Sequence, residues 1–369
     1  MDKNFRSVLS LVLLPFSWLY GMVIWIRNQL YDNELLKAFT FPVPTISVGN
    51  LTVGGTGKTP HSEYLLTLLD KKYKTAYLSR GYKRCTRDFR VADEKSTSAE
   101  LGDEALQTKF RFPETTVAVD RKRANGIREL MKLAPRIEVI VLDDAYQHRS
   151  VQPGLSLLLT DFNRPILEDR LLPSGMLRES ARNRNRADVI LVSKTPETIL
   201  PIEMREIATR MKLRLGQHLF FTSISYESLV PVFPEAPSKS LAGLQNNTGI
   251  LLVCGVAQPD PLITFARENT DKLEVLKFPD HQRYNESHVE QIMTRISHMT
   301  EPGELITVIT TEKDAVKLKE LDIPGQVRSC MYALRIGIRF LNNDKVEFDK
   351  IVKNYVESNK RSSILYKGK

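Results

Sequence analysis

The chain has 369 residues, of which 42% are hydrophobic and 26% are charged, and this length and balance exclude a disordered chain, a fibrous chain and a mini-protein while allowing two domains. Lysine and arginine (53 residues) outnumber aspartate and glutamate (44 residues), so the net charge of +9 favours partners that carry phosphate or other anionic groups. Three distant cysteines, Cys85, Cys254 and Cys330, argue against a zinc site or a disulfide framework and favour a reducing compartment, with the cytosol as the expected one.

The first predicted element is an uncharged run of twenty residues, 7–26. As a helix that rises ~1.5 Å per residue, this run would extend about 30 Å, which matches one hydrocarbon layer. Trp18, Tyr20 and Trp25 are residue types that favour the headgroup boundary. We interpret residues 1–27 as a membrane-anchoring helix that either spans the bilayer or lies in its interface. A buried core helix is the alternative, and a signal peptide fits less well.

Apolar, β-rich runs alternate with helical patterns after this helix. The runs are nearly continuous, which is typical of strands buried on both faces of a parallel sheet. The predicted strands of this series are 45–48, 75–78, 116–119, 137–142, 155–159 and 189–192. The predicted helices that cover the sheet are 61–69, 104–110, 122–133 and 202–213.

A proline cluster at 231–240 marks the expected boundary to a second α/β series. The predicted strands of this second series are 250–254, 275–278 and 305–309. The β-rich stretches 220–226 and 332–340 flank it, and we predict that they pair as a two-stranded connection between the domains. The expected organisation is an anchoring helix at 1–27, a P-loop domain at 28–226, a smaller second α/β domain at 227–345 and a basic C-terminal tail at 346–369. The end of this tail, 360–369, is expected to be frayed.

A phosphate-binding loop, GNLTVGGTGKTP at 49–60, follows the first predicted strand and precedes a helical pattern. Glycines let backbone N–H groups turn toward a polyphosphate, a lysine places its charge on the β and γ oxygens, and a hydroxyl at the helix start ligates Mg²⁺. Thr52 replaces the first glycine of the usual GxxxxGK[ST] pattern, and a purely structural glycine turn is the alternative. The residues predicted to bind the nucleotide are Gly54, Gly55, Thr56, Gly57, Lys58 and Thr59, and Thr59 is also a predicted metal ligand.

Two carboxylates, Asp143 and Asp144, end the hydrophobic strand 137–142 at the position of a Walker B motif, where they attract Mg²⁺ or its water shell. A helix cap by either aspartate is the alternative. The two motifs predict an α/β fold built on a P-loop parallel sheet covered by helices. Ligands of such open sheets bind near the strand ends, and the residues there that we predict to contact substrate or nucleotide are Arg80, Tyr82, Arg121, Arg123 and His148.

The ordered motifs along most of the chain resemble those of the tetraacyldisaccharide 4'-kinase family. They are the loop at 49–60, LSRGY at 78–82, GDE at 102–104, DDAYQH at 143–148, GMLRE at 175–179, DH at 280–281 and TEKD at 311–314. The family more often has DDGFQH in place of DDAYQH, a difference that concerns the pocket and not the chemistry. The resemblance implies an ATP- and Mg²⁺-dependent kinase of lipid A biosynthesis that phosphorylates the 4' hydroxyl of a tetraacyldisaccharide 1-phosphate at the cytoplasmic face of the inner membrane.

The same resemblance implies roles for individual residues. Asp103 is the expected base, with His281 supporting it as a carboxylate and imidazole pair, and Lys58 acts on the transferred phosphoryl group. Arg178 is expected to steady phosphate and Glu179 to join the Mg²⁺ shell. From the residues alone, Asp103 is more readily a helix N-cap and His281 a satisfied core or surface histidine.

Two other functions remain open at this stage. A P-loop GTPase of the metal-insertion type would use SKT at 193–195 or TEKD at 311–314 to read its base, although the chain lacks clustered Cys and His ligands. The second alternative function is that of a non-enzymatic membrane scaffold, in which the bound nucleotide only stabilises the fold. We expect a glycolipid substrate and an inner-membrane surface as partners, with no specific nucleic acid and no obligate protein partner.

Overall fold

The computed structural model describes residues 11–244, 248–300 and 305–366, with the side chains of 248 and 360–366 excepted. Twelve strands form a single sheet. In chain order they are β1 Thr45–Asn50, β2 Thr75–Ser79, β3 Arg90–Val91, β4 Thr116–Val119, β5 Val139–Asp143, β6 Leu155–Asp161, β7 Val189–Ser193, β8 His218–Pro231, β9 Thr248–Cys254, β10 Leu273–Lys277, β11 Leu305–Thr311 and β12 Met331–Phe340.

The helices of the described residues cover this sheet on both sides. They are α1 Leu14–Asp32, α2 Lys58–Leu69, α3 Ser98–Leu101, α4 Asp103–Arg111, α5 Arg123–Leu133, α6 Pro201–Met211, α7 Asp260–Glu268, α8 Glu286–Met299, α9 Glu312–Leu318, α10 Gly325–Arg328 and α11 Lys345–Tyr366. Two short 3₁₀ turns, Ala181–Arg186 and Leu241–Leu244, complete the described elements.

The strands follow the order β10-β9-β11-β12-β8-β7-β6-β1-β5-β2-β4-β3 across the sheet. All pairs are parallel except β12 with β8 and β3 with β4. Strands β1, β2, β5, β6 and β7 are buried along their whole length, because helices lie on both faces. The predicted α/β fold with a parallel sheet is confirmed, and the nearly continuous apolar runs were the correct signal for it.

The two halves of the sheet are joined by the antiparallel pair of β8 and β12. Thr222 lies opposite Phe340 at one end, and Pro231 lies opposite Tyr332 at the other. Strand β8 is in turn parallel to β7, and β12 is parallel to β11. The predicted two-stranded connection is therefore confirmed, and it continues the hydrogen-bonded sheet from one half into the other.

Helix α1 has two unlike sides. One side faces the body of the protein, where Ser17 and Asn28 are buried. The other side carries large apolar side chains that are 45–76% exposed, namely Phe16, Trp18, Leu19, Met22, Val23, Trp25 and Ile26, and Leu11 and Val12 just before the helix are exposed as well. None of the helices that the structure describes combines the length and the hydropathy that a membrane span requires. Residues 7–10 of the predicted apolar run lie outside the described ranges.

The C-terminal helix α11 occupies most of the segment that the sequence analysis assigns to a basic tail. Its Phe348, Val352 and Val356 are at most 1% exposed and belong to the core that also holds helix α2. The ring of Phe348 lies 4.7 Å from that of Phe340 and 6.0 Å from that of Tyr64, measured between centroids. Helix α11 therefore supports the helix that follows the phosphate loop. The side chains of 360–369, where fraying is expected, are not described.

Candidate active site

The phosphate loop connects β1 to α2 and depends on two glycines with positive φ. Gly54 has φ +104°, and Gly57 has φ +81° at the N-cap of α2. Side chains rarely adopt such backbone angles, so glycine is needed at both places. Inside the loop, Asn50 Nδ2 donates to Thr56 Oγ1 at 2.8 Å. The loop is thereby tied to the strand that precedes it.

Thr52, which replaces the first glycine of the usual pattern, lies in an extended segment. It forms an antiparallel bridge with Leu177, and the N–H of Val53 donates to the carbonyl of Met176 at 2.8 Å. The guanidinium of Arg164 donates to the Val53 carbonyl at 2.8 Å. Because extended backbone suits any residue, this position has no need of a glycine.

A residue that the sequence analysis did not assign, His61, fixes the loop from behind. Its Nδ1 lies 2.7 Å from the carbonyl oxygen of Gly57, and its Nε2 lies 2.9 Å from Thr222 Oγ1 on β8. Burial lowers the pKa of His61 to about 4. The neutral ring therefore donates from Nδ1 to Gly57 and accepts the Thr222 hydroxyl proton at Nε2. The sequence signal was a histidine four residues after the loop's last glycine.

The two predicted metal carboxylates lie at the end of β5 and are held differently. Asp143 is 1% exposed and accepts from Ser62 Oγ at 3.0 Å and from the Tyr77 hydroxyl at 2.9 Å. Burial, together with the charge of Asp144, raises the pKa of Asp143. Desolvation acts in the same direction on Asp144, but the charges of Lys58 and Arg178 outweigh it, and the pKa of Asp144 is lowered.

Lys58 connects the loop to this acidic pair. Its Nζ lies 3.6 Å from Asp144 Oδ1, and Arg178 Nη1 lies 3.2 Å from the same oxygen. Thr59 follows Lys58 in the first turn of α2. The arrangement offers two carboxylates and a hydroxyl, which are the hard oxygen donors that Mg²⁺ prefers. Among the described residues no group of three or more His, Cys, Asp or Glu side chains could hold a metal, and Mg²⁺ at kinase sites uses few carboxylates together with phosphate oxygens.

Glu179 is placed apart from these donors. It is 1% exposed, and its Oε2 accepts from Asn183 Nδ2 and from Arg186 Nη2, each at 2.6 Å. The same oxygen lies 3.4 Å from Asn28 Nδ2 on α1. The 3₁₀ turn Ala181–Arg186 thus binds Oε2 of Glu179, and among the described residues Glu179 forms no metal-holding group with Asp143 and Asp144.

A cavity of about 210 Å³ opens beside the acidic pair. Six of the predicted site residues line it together with three that were not assigned, and the nine are Ser79, Arg80, Tyr82, Glu104, Asp143, Asp144, Gln147, His148 and Arg178. Burial and the charge of Asp143 raise the pKa of Glu104 to about 7. Burial and the charges of Arg123 and Arg80 lower the pKa of His148 to about 3, which keeps that imidazole neutral. Glu104 could have been found from its place in the GDE motif.

The predicted base and its partner meet next to two residues that line this cavity, Glu104 and Tyr82. His281 Nδ1 lies 3.1 Å from Asp103 Oδ2, with both side chains about 85% buried, at 15% and 13% exposed. Asp103 begins α4 and is the neighbour of Glu104, whereas His281 lies in the second half with φ +60°. The Tyr82 ring lies 5.1 Å from the imidazole. The pair thus joins the two halves of the protein at the site.

Two of the predicted substrate contacts lie outside the cavity lining. Arg121 is exposed. Arg123 is fully buried and donates to the carbonyl oxygens of Asp120 at 2.7 Å and Asp143 at 2.8 Å. Its guanidinium is inaccessible to a substrate in this structure, because it is buried and hydrogen-bonded to these two carbonyl groups. Arg123 thus supports the acidic pair from behind.

Comparisons with known proteins indicate the family of this chain. A family model described as Tetraacyldisaccharide-1-P 4'-kinase matches residues 9–357. Proteins named tetraacyldisaccharide 4'-kinase are 43% identical in Bacteroides thetaiotaomicron, over 98% of this chain and 97% of that protein, and 44% identical in Parabacteroides distasonis, over 94% and 95%. The crystal structure of LpxK from Aquifex aeolicus in complex with ATP has a TM-score of 0.74 at 29% identity and covers 94% of this chain and 99% of that one.

The matched residues, 9–357, span both halves of the sheet. It favours the kinase over the GTPase that the sequence analysis left open. The chain belongs to the tetraacyldisaccharide-1-phosphate 4'-kinase family.

Proposed function

We propose that this protein transfers the γ-phosphate of ATP to the 4' hydroxyl of a tetraacyldisaccharide 1-phosphate, with Asp103 as the base, on the cytoplasmic face of the inner membrane. The observation that carries the proposal is a cavity lined by Asp144, the ion-pair partner of Lys58. The same cavity is lined by Glu104 and Tyr82, which adjoin the Asp103 and His281 pair. A nucleotide on the loop and a hydroxyl in the cavity would thereby meet.

In the proposed reaction, the phosphate loop holds the triphosphate and Lys58 neutralises negative charge on the transferred group. Asp103 receives the proton of the acceptor hydroxyl while the new oxygen–phosphorus bond forms and the bond to the departing ADP oxygen breaks. His281 orients the Asp103 carboxylate. Arg80 and Arg178 are placed at the cavity wall for anionic groups of the substrates.

Thr59, Asp143 and Asp144 would hold Mg²⁺, which supplies charge neutralisation at the β and γ oxygens when bound. Asp144 is paired with Lys58 and Arg178, whose charges keep its carboxylate ionised, as a metal ligand must be. We leave Glu179 out of this set because, among the described residues, it forms no metal-holding group with Asp143 and Asp144.

We also infer that α1 lies in the membrane interface beside the site. Its protein-facing side contacts the loop that carries Arg178: the Tyr20 hydroxyl donates to the Arg178 carbonyl at 2.9 Å, and Ser17 Oγ accepts from the Ser174 N–H at 2.9 Å. Its outer side exposes the large apolar side chains described above, including Trp18 and Trp25. An exposed apolar helix face with interfacial tryptophans, on a protein of net charge +9, suits an anionic membrane surface. A glycolipid could then reach the cavity without leaving its membrane.

The transfer is tested with the purified full-length chain, radiolabelled ATP, Mg²⁺ and detergent-dispersed tetraacyldisaccharide 1-phosphate. We expect a 4'-phosphorylated lipid with ATP and much less with GTP. Asp103→Asn should lower turnover by about 10²- to 10⁴-fold, because general base catalysis contributes roughly that factor. Asp93→Asn, which changes an exposed loop aspartate, is the matched control. Absence of lipid product at every Mg²⁺ concentration would refute the proposal.

The membrane contact is tested by co-sedimentation with vesicles of phosphatidylethanolamine and phosphatidylglycerol. Replacing Trp18 and Trp25 together by glutamate should weaken binding by about tenfold or more, since burial of each large apolar side chain contributes roughly 1.5–3 kcal/mol. Leu215→Glu alters an exposed leucine outside α1 and should leave binding unchanged. Equal sedimentation of the three proteins would contradict an interfacial α1.

A further inference from the structure

The ammonium group of Lys317 lies behind the proposed base. Its Nζ is 3.6 Å from Asp103 Oδ2, the same oxygen that receives the contact from His281. The side chain is only 7% exposed. Lys317 comes from α9 in the second half, which packs against α4 of the first half. A cation of the second half is thus buried against the carboxylate that begins α4.

This lysine is held firmly from its own side. Its Nζ lies 3.0 Å from Asp314 Oδ1 and donates to the carbonyl oxygen of Gln282 at 3.0 Å. Asp314 has no exposed surface, and its Oδ2 accepts from the Gly255 N–H and from Thr311 Oγ1, each at 2.8 Å. Because its partners are fixed by backbone contacts, the ammonium cannot follow Asp103 freely.

We propose that Lys317 is a positioning residue that keeps Asp103 ionised and aimed at the acceptor hydroxyl; this inference rests on the proposed role of Asp103 as base. A carboxylate can take a proton only if it has lost its own, and burial alone would favour its protonated form. A fixed ammonium at 3.6 Å offsets that effect and restrains the carboxylate.

Lys317 shares this task with His281, and the other charged groups around Asp103 contribute less. His281 donates to the carboxylate, and Asp280 lies 3.9 Å from the second nitrogen of that imidazole. Lys313 of α9 is paired with Asp280 at 2.8 Å. Glu104, the neighbour of Asp103 on α4, adds negative charge. Burial works against ionisation of Asp103, but the hydrogen bond from His281 and the charge of Lys317 outweigh it and lower the pKa of Asp103.

The test is the pH dependence of kcat/KM for lipid phosphorylation in the full-length protein. Lys317→Met should move the acidic limb of the profile upward by about one pH unit or more, since an opposite charge at this distance shifts a carboxyl group by roughly 1–3 units. Lys317→Arg should restore the limb. Lys319→Met removes a neighbouring cation that lies over the Phe110 ring, and it should leave the limb in place.

A second variant guards against misfolding, because Lys317→Met leaves the buried Asp314 without its partner. The double change Asp314→Asn with Lys317→Met removes both charges and should show the same displaced limb. Superimposable limbs for both variants and the wild type, or a loss of activity that is equal at every pH, would overturn the inference. Wild type and Asp103→Asn are measured alongside: no product from wild type refutes the proposed function, whereas an active wild type with an unchanged Lys317→Met profile refutes only the role of Lys317.

Discussion

His61 makes the phosphate loop sensitive to acid, and the effect can be calculated. The imidazole has an ordinary pKa of 6.5 when the chain is unfolded, and burial lowers that pKa to about 4 in the folded protein. Below pH 6.5 the unfolded chain therefore binds a proton that the folded protein does not bind. The free energy of unfolding consequently decreases as the pH is lowered. Between about pH 7.5 and about pH 5, this linkage costs about 2 kcal/mol of the free energy of unfolding.

The variant His61→Gln removes this proton. We expect the wild type to lose about 2 kcal/mol more than His61→Gln over that pH range, as measured by urea titrations followed by circular dichroism. Thr222→Val serves as the control, because it removes the hydroxyl partner of the ring and retains the imidazole. It should lower stability at every pH and keep the steep slope. Parallel free-energy curves for wild type and His61→Gln would refute the assignment of a buried neutral imidazole.

Two further changes test the supports of the phosphate loop. Phe348→Ala should lower the free energy of unfolding, measured by urea titration, by about 3–5 kcal/mol, because a buried ring that contacts other rings is lost. Val346 is 77% exposed on the same helix, and the control Val346→Ala should change this free energy by less than about 0.5 kcal/mol. Gly49→Ala would place a Cβ 2.7 Å from the Cβ of Tyr146, so the affinity for ATP measured by calorimetry should fall by about tenfold or more. Unchanged stability in the first case, or unchanged affinity in the second, would contradict these contacts.

Much of the fold was predictable because its signals are local. Buried parallel strands have apolar side chains on both faces, so each strand stands out as a continuous run without knowledge of its neighbours. The phosphate loop was equally visible, since its glycines and Lys58 are consecutive. Asp103 and His281, 178 positions apart, were paired only through the resemblance to a family. Nothing in their local sequence indicates that they meet.

The features that sequence reasoning missed depend on partners from distant segments. Helix α11 has a charged composition, and its three buried apolar residues acquire meaning only against the core beside α2. The resemblance implies that Glu179 joins the Mg²⁺ shell, yet Asn28 and Arg186 both contact Oε2 of its carboxylate. The sequence does not distinguish Lys317 from the other lysines, because its contact with Asp103 arises only when α9 packs against α4. Periodicity and spacing contain no information on such contacts.

The antiparallel pair of β8 and β12 makes the two halves interdependent for folding. A cut at residue 226, the expected end of the first domain, would fall inside β8, which continues to Pro231. Either fragment would then present an unpaired strand edge that invites aggregation. The halves are therefore poor candidates for separate expression or for exchange between relatives. A chimera should take both β8 and β12 from the same parent.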